Sequence, residues 1–70
     1  MPIMQVFMLE GRTAEQKANF IAEVTAAAVR TVGVKAEAVR IMITDMPKEN
    51  FGVGGKSASE LGRFNDKQAS

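Results

Sequence analysis

Residues 13–33 read TAEQKANFIAEVTAAAVRTVG. This stretch decides the fold, because its apolar period is helical while the segments on both sides alternate. Thr13 and Gln16 have the spacing of a capping box, in which each side chain accepts a hydrogen bond from the other residue's backbone N–H. Ala14, Ile21, Val24, Ala28 and Val32 recur at helical spacing, with Phe20, Ala27 and Val29 beside them, and this predicts the buried face. Glu15, Lys17, Glu23 and Arg30 are expected as mostly solvated charges. The alanine-rich second half favours helix, and Gly33 suits the position just past its end. The helix is about 19 residues and roughly 28 Å long.

Upstream, Ile3–Leu9 reads as a strand with Met4, Val6 and Met8 on one face and Ile3, Gln5, Phe7 and Leu9 on the other. Both faces are largely apolar, the pattern of a strand covered on both sides. Downstream, Val39–Thr44 alternates again, with Val39, Ile41 and Ile43 opposite Arg40, Met42 and Thr44. A long helix between two strands predicts an α+β, β-α-β protomer with parallel strands and a right-handed crossover. Pro47 ends the second strand, and the glycines that follow predict a short C-terminal hairpin around Gly54–Gly55. Residues 1–62 form one domain on this reading, and the polar residues 63–70 form a flexible tail. One helix covers one face of a two-stranded sheet, and such a pair is not stable without further packing. The protomer is therefore expected to dimerise into a four-stranded sheet and to associate further.

Composition narrows the chemistry. A chain of 70 residues is too small to stabilise itself easily. It has no cysteine and no histidine, which excludes disulfides and removes the usual zinc and copper ligands. No metal and no cofactor are expected. A net charge of +1 argues against a nucleic-acid partner. No apolar run approaches the roughly 20 residues of a membrane span, and no secretory leader is evident, so a cytoplasmic protein is expected. Without histidine or cysteine, a catalytic base must be a carboxylate, a lysine or the amino-terminal amine.

That last option directs attention to Pro2. A proline is tolerated as the first residue of a strand, which is the ordinary reading. If Met1 is removed, its nitrogen becomes a free secondary amine. Parallel strands begin at one end of a sheet, which places Pro2 and Arg40 together. Arg12 lies past the far end of the first strand, roughly 25–30 Å from Pro2 along an extended chain. It is better placed to serve a neighbouring copy's Pro2 than its own. Arg12 and Arg40 can otherwise be surface arginines, Phe51 a packing residue, and the five methionines core and interface filler. The run NFGVGGKS is close to a phosphate-binding loop, but Asn50 stands where its first glycine belongs and too little chain follows for a nucleotide-binding helix. Lys56 and Ser57 are expected as hairpin residues.

Met-Pro at 1–2, Leu-Glu-Gly-Arg at 9–12, Val-Arg at 39–40 and Phe-Gly-Val-Gly-Gly at 51–55, in this order and spacing, resemble the 4-oxalocrotonate tautomerase family of the tautomerase superfamily. The resemblance covers residues 2–61. It implies a cofactor-independent isomerase that converts 2-hydroxydienoates to conjugated 2-oxo acids in aromatic-compound breakdown. It also implies a homohexamer built as a trimer of dimers, acting on a small enol or oxo dicarboxylic acid. By this match Pro2 is the base, Arg12 and Arg40 bind carboxylate and enol oxygens, and Phe51 and Leu9 line the pocket. An α-amine titrates near about 8; apolar burial and adjacent arginines disfavour its cation, leaving it free to act as a base at neutral pH. The same superfamily includes haloacrylate dehalogenases and hydratases, which need a carboxylate such as Glu10 or Glu49 to activate water. If Met1 is retained, the nitrogen is an amide, and a non-catalytic oligomeric module is the alternative. Ala38 stands where a serine is familiar in the family, and Phe7 replaces a histidine, consistent with packing at that position.

Overall fold

A computed structural model describes residues 1–62. The expected tail, 63–70, lies outside the described residues. Strand β1 (Ile3–Leu9) is followed by helix α1 (Ala14–Val32) and strand β2 (Arg40–Met46), with a 3-10 turn at Ala36–Ala38 leading into β2. A second 3-10 turn, Lys48–Asn50, then leads into a hairpin of β3 (Gly52–Val53) and β4 (Lys56–Ser57), and a one-turn helix α2 (Ala58–Leu61) follows. The Arg40 N–H donates to the Pro2 carbonyl at one end of the β1–β2 sheet, and the Glu10 N–H donates to the Met46 carbonyl at the other, both at 2.9 Å. Bonds of that direction belong to a parallel ladder in which Ile3 stands opposite Arg40 and Leu9 opposite Met46. The β-α-β protomer with parallel strands and a short hairpin is the fold that the alternation and the helix between predicted.

The chain divides into two compact units. One comprises Met1–Val6 and Thr13–Ile43; the other comprises Phe7–Arg12 and the described residues from Thr44 onward.

In the first unit, α1 starts and stops where its caps dictate. Thr13 accepts from the Gln16 N–H while Gln16 accepts from the Thr13 N–H. Gly33 takes a left-handed φ of 79°, and its N–H returns to the Val29 carbonyl. This conformation is strained for any residue with a Cβ. The sheltered stripe of the helix differs from the expected one. Lys17, Phe20, Val24, Ala27 and Ala28 are half-buried or buried, whereas Ala14, Ile21, Val29 and Val32 are exposed. An alanine-rich helix is apolar on more than one side, so its period is legible but its phase is not. Lys17 follows the stripe because its methylene stem tolerates shelter. Met4, Val6, Ile41 and Ile43 are half-buried on the matching strand positions, while Ile3, Gln5, Arg40 and Met42 on the other face are exposed.

In the second unit, the hairpin pairs Gly52 with Ser57 and Val53 with Lys56. Gly54 and Gly55 form its loop with φ of 61° and 86°, the pair of positive values that a two-residue type I′ turn requires. Lys56 and Ser57 are hairpin residues, as expected, and Ser57 also caps α2. The Ser57 hydroxyl accepts from the Glu60 N–H, and the Glu60 carboxylate accepts from the Ser57 N–H. The bond from the Ser57 backbone, then that from its hydroxyl, hold the Glu60 carboxyl below its ordinary 4.5. A carboxylate held low in the folded state contributes stability that is complete above its unfolded value and lost as pH falls through the folded one. The α2 turn is therefore expected to loosen only in acid, below that ordinary value. The Glu60→Gln chain should lack the transition, as followed by the chemical shifts of Ala58–Leu61 against pH.

Among the described residues only Ala28 and Ala58 are fully buried. Two alanines make a thin interior. Meanwhile Ile3, Phe7 and Met42 are 58%, 64% and 44% exposed. Burying such a side chain fully is worth about 1.5–3 kcal/mol, and the chain alone does not gain it.

Candidate active site

Within the first unit, the parallel ladder brings Pro2 and Arg40 together. Pro2 is half-buried at the mouth of β1, and its carbonyl accepts the Arg40 N–H at 2.9 Å. The Arg40 side chain is exposed, and its guanidinium donates to the Glu37 carbonyl in the turn that precedes β2. That bond ties the charge to the sheet end at which Pro2 starts.

Within the second unit lies an open apolar recess of about 370 Å³, lined by Phe7, Met8, Leu9, Met46 and Phe51. Two of these, Leu9 and Phe51, are the residues for which the family resemblance implies a pocket wall. Phe7, Met8 and Met46 were not, because their convergence depends on how the chain returns after Pro47. Phe7 is largely exposed in the single chain, so the packing expected of it is not made there. Phe51 is held by its backbone at both ends. Its N–H donates to the Lys48 carbonyl at 3.3 Å, and its carbonyl accepts the Ala58 N–H at 2.7 Å. Arg12 belongs to this unit and is half-buried. The pieces therefore sort into a strand start that carries Pro2 and Arg40, and an apolar recess with Arg12 in the same unit. A wall lined by the rings of Phe7 and Phe51 suits an unsaturated carbon chain.

The carboxylates that a water-activating mechanism would draw on are placed as follows. Glu10 accepts the Lys48 N–H at 3.2 Å, and Glu49 is exposed on the 3-10 turn. No helix of the described residues is long and apolar enough to cross a membrane.

A small β-α-β protomer with an uncovered sheet face, a proline at the strand mouth and an apolar recess has known counterparts. The family model for "Tautomerase enzyme" matches residues 2–61. A 2-hydroxymuconate tautomerase of Comamonas testosteroni is 54% identical over 63 residues, covering 90% of this chain and all of that one. A 4-oxalocrotonate tautomerase isozyme of Methylibium petroleiphilum superposes with a TM-score of 0.84 at 46% identity, covering 87% of this chain and 95% of that chain. A heterohexamer 4-oxalocrotonate tautomerase of Chloroflexus aurantiacus J-10-fl gives a TM-score of 0.81 at 39% identity, covering 87% and 98%. The chain belongs to the tautomerase family. It is an isomerase of the keto-enol type.

Proposed function

We propose that the chain ketonises 2-hydroxymuconate, or a close 2-hydroxydienoate, to its conjugated 2-oxo isomer, with Pro2 as the general base once Met1 is removed. The observation that carries the reading is the joint placement of Pro2 and Arg40 at one sheet end, in a chain 54% identical to a 2-hydroxymuconate tautomerase. The free amine of Pro2 takes the proton of the 2-hydroxyl, and negative charge spreads over the dienolate. The protonated amine then returns a proton to carbon, so no net proton is consumed. Arg40 and Arg12 bind the enol oxygen and the carboxylates and stabilise that charge as it develops. Leu9 and Phe51 give the carbon chain a dry wall, which strengthens each of those charge interactions.

Pro2 and Arg12 act from different copies on this reading. The exposed face bearing Ile3, Phe7 and Met42 supports an assembly that buries it, as a homohexamer of three dimers with four-stranded sheets would. The substrate is a small dicarboxylic acid, and the protein works in the cytoplasm. A halide-releasing or hydrating reaction is not favoured, since the relatives matched over their whole length are 2-hydroxymuconate tautomerases.

The experiment is a comparison of kcat/KM on protein whose intact mass shows Met1 removed. Ketonisation of 2-hydroxymuconate is expected to exceed halide release from 3-chloroacrylate by at least about a thousandfold, the order of advantage that correctly placed acid–base groups supply. Comparable rates would sink the assignment.

A further inference from the structure

Glu10 follows the last residue of β1, and both of its hydrogen bonds go to the exit of β2. Its N–H donates to the Met46 carbonyl at 2.9 Å, and its Oε2 accepts the Lys48 N–H at 3.2 Å. Between those partners stands Pro47, whose missing N–H takes nothing from this ladder, because in this register the even-numbered residues of β2 bond β1. In a parallel ladder of this register, the next acceptor, the one for the Lys48 N–H, would be the main-chain carbonyl of Glu10 itself. The Glu10 carboxylate takes that place. The ladder stops there, and the chain turns into the 3-10 turn that begins at Lys48. That turn is closed by the Asn50 N–H to Pro47 and the Phe51 N–H to Lys48, at 2.9 and 3.3 Å. Beyond it, the Phe51 carbonyl is fixed by Ala58, which is 1% exposed. Phe51 is thus aimed from two sides: by Ala58 behind it, and by Lys48 ahead of it, which Glu10 holds across 38 residues of sequence.

We propose that Glu10 is a positioning residue, whose carboxylate acts as a substitute ladder acceptor that sets the aim of Phe51 on the wall of the recess. The inference rests on the reading of that recess as the place of the substrate's carbon chain. It has a distinctive sign. A carboxylate near a site for a dianion repels it, so loss of charge alone lowers KM. Loss of the acceptor misplaces Phe51 and raises KM.

Glu10→Gln keeps an acceptor oxygen and removes the charge, whereas Glu10→Ala removes both. For 2-hydroxymuconate, Glu10→Ala is expected to raise KM about three- to tenfold with kcat within about twofold, the span of one net hydrogen bond. Glu10→Gln is expected to leave KM at the parent value or below it. A KM lowered in both variants, or raised in both alike, overturns the proposal.

Lys48→Pro removes the donor instead. Pro47 has φ −60° and ψ 144°, which accommodates a following proline, and Lys48 opens the turn, where a proline is tolerated. In that background Glu10→Ala should add less than about twofold to KM, with Lys48→Ala as the control for the lost side chain. An equal increment in both backgrounds overturns the proposal. Should the proline variant not fold, amide exchange at Lys48 decides: several-fold faster in Glu10→Ala but not in Glu10→Gln supports the role, and no change overturns it. Phe51→Ala separates the two readings. If it leaves KM unchanged, the recess is not the substrate's wall and the positioning role falls with it. If Phe51→Ala raises KM while Glu10→Ala does not, only the role of Glu10 falls.

Discussion

Replacement of Pro2 by alanine is expected to lower kcat for ketonisation by about two to four orders of magnitude, the contribution of a placed general base, with KM changed far less. The chemistry of the nitrogen explains the size. Alanine also presents a free α-amine after Met1 is removed, but a primary one that is not locked into a ring, so its lone pair is neither as basic nor as fixed in direction. A second form of the protein isolates the same point without a substitution. Protein that retains Met1 carries an amide at Pro2, which has no basic lone pair, and should be as inactive as the weakest variant. The two experiments share a control, because removal of Met1 from an inactive preparation should restore its activity. The acid limb of kcat/KM in the parent should lie well below the about 8 of an ordinary α-amine, because a base that works at neutral pH must be largely unprotonated there. A parent profile that falls off only near 8, or an alanine variant of full activity on protein of verified mass, would remove Pro2 from the reaction.

Much of this arrangement was legible in the sequence, for physical reasons that differ by residue. Helix α1 was readable at both ends because capping is local: Thr13 and Gln16 are three residues apart, and Gly33 supplies a conformation that few other residues accept. The pairing of Pro2 with Arg40 followed from topology, since a helix between two strands makes them parallel and aligns their starts. The face of α1 was not legible, because hydrophobic periodicity in an alanine-rich segment fixes the repeat without fixing its phase. Ile21 and Val32 are accordingly exposed where a buried face was expected. Helix α2 has a local signal in the capping-box spacing of Ser57 and Glu60, but a single turn buries too little to be legible as an element. The bond from Lys48 to Glu10 had no local signature at all. It exists only once β1 and β2 are paired and their ladder ends at Glu10, which is a property of the fold and not of any window of residues.

Mixed oligomers of two disabled variants are expected to regain activity, and this follows from where the charged groups lie along β1. Pro2 precedes the strand and Arg12 follows the turn beyond it, so a strand paired with a symmetry-related copy of itself in the opposite direction sets the start of one against the end of the other. Arg12→Ala should mainly weaken binding of the dicarboxylate, so its defect is largest at substrate concentrations far below KM. Pro2→Ala is disabled at any concentration. If the base and the distal cation act from different copies, an equal mixture of the two variants, dissociated and reassembled, contains intact sites. A site needs Pro2 from an Arg12→Ala copy and Arg12 from a Pro2→Ala copy. Random assembly supplies that pairing in about a quarter of sites, so about a quarter of parent activity should return. If both residues act from one copy, no site in the mixture holds the pair, and activity stays at the sum of the separate variants. Native mass spectrometry shows whether mixed oligomers formed, so a failure to regain activity in a mixed population decides against a shared site. The exposed Ile3, Phe7 and Met42 give the physical reason to expect the first outcome. Burial of that face stabilises the protomer only in company, so the same surface that makes the fold tenable would complete the site.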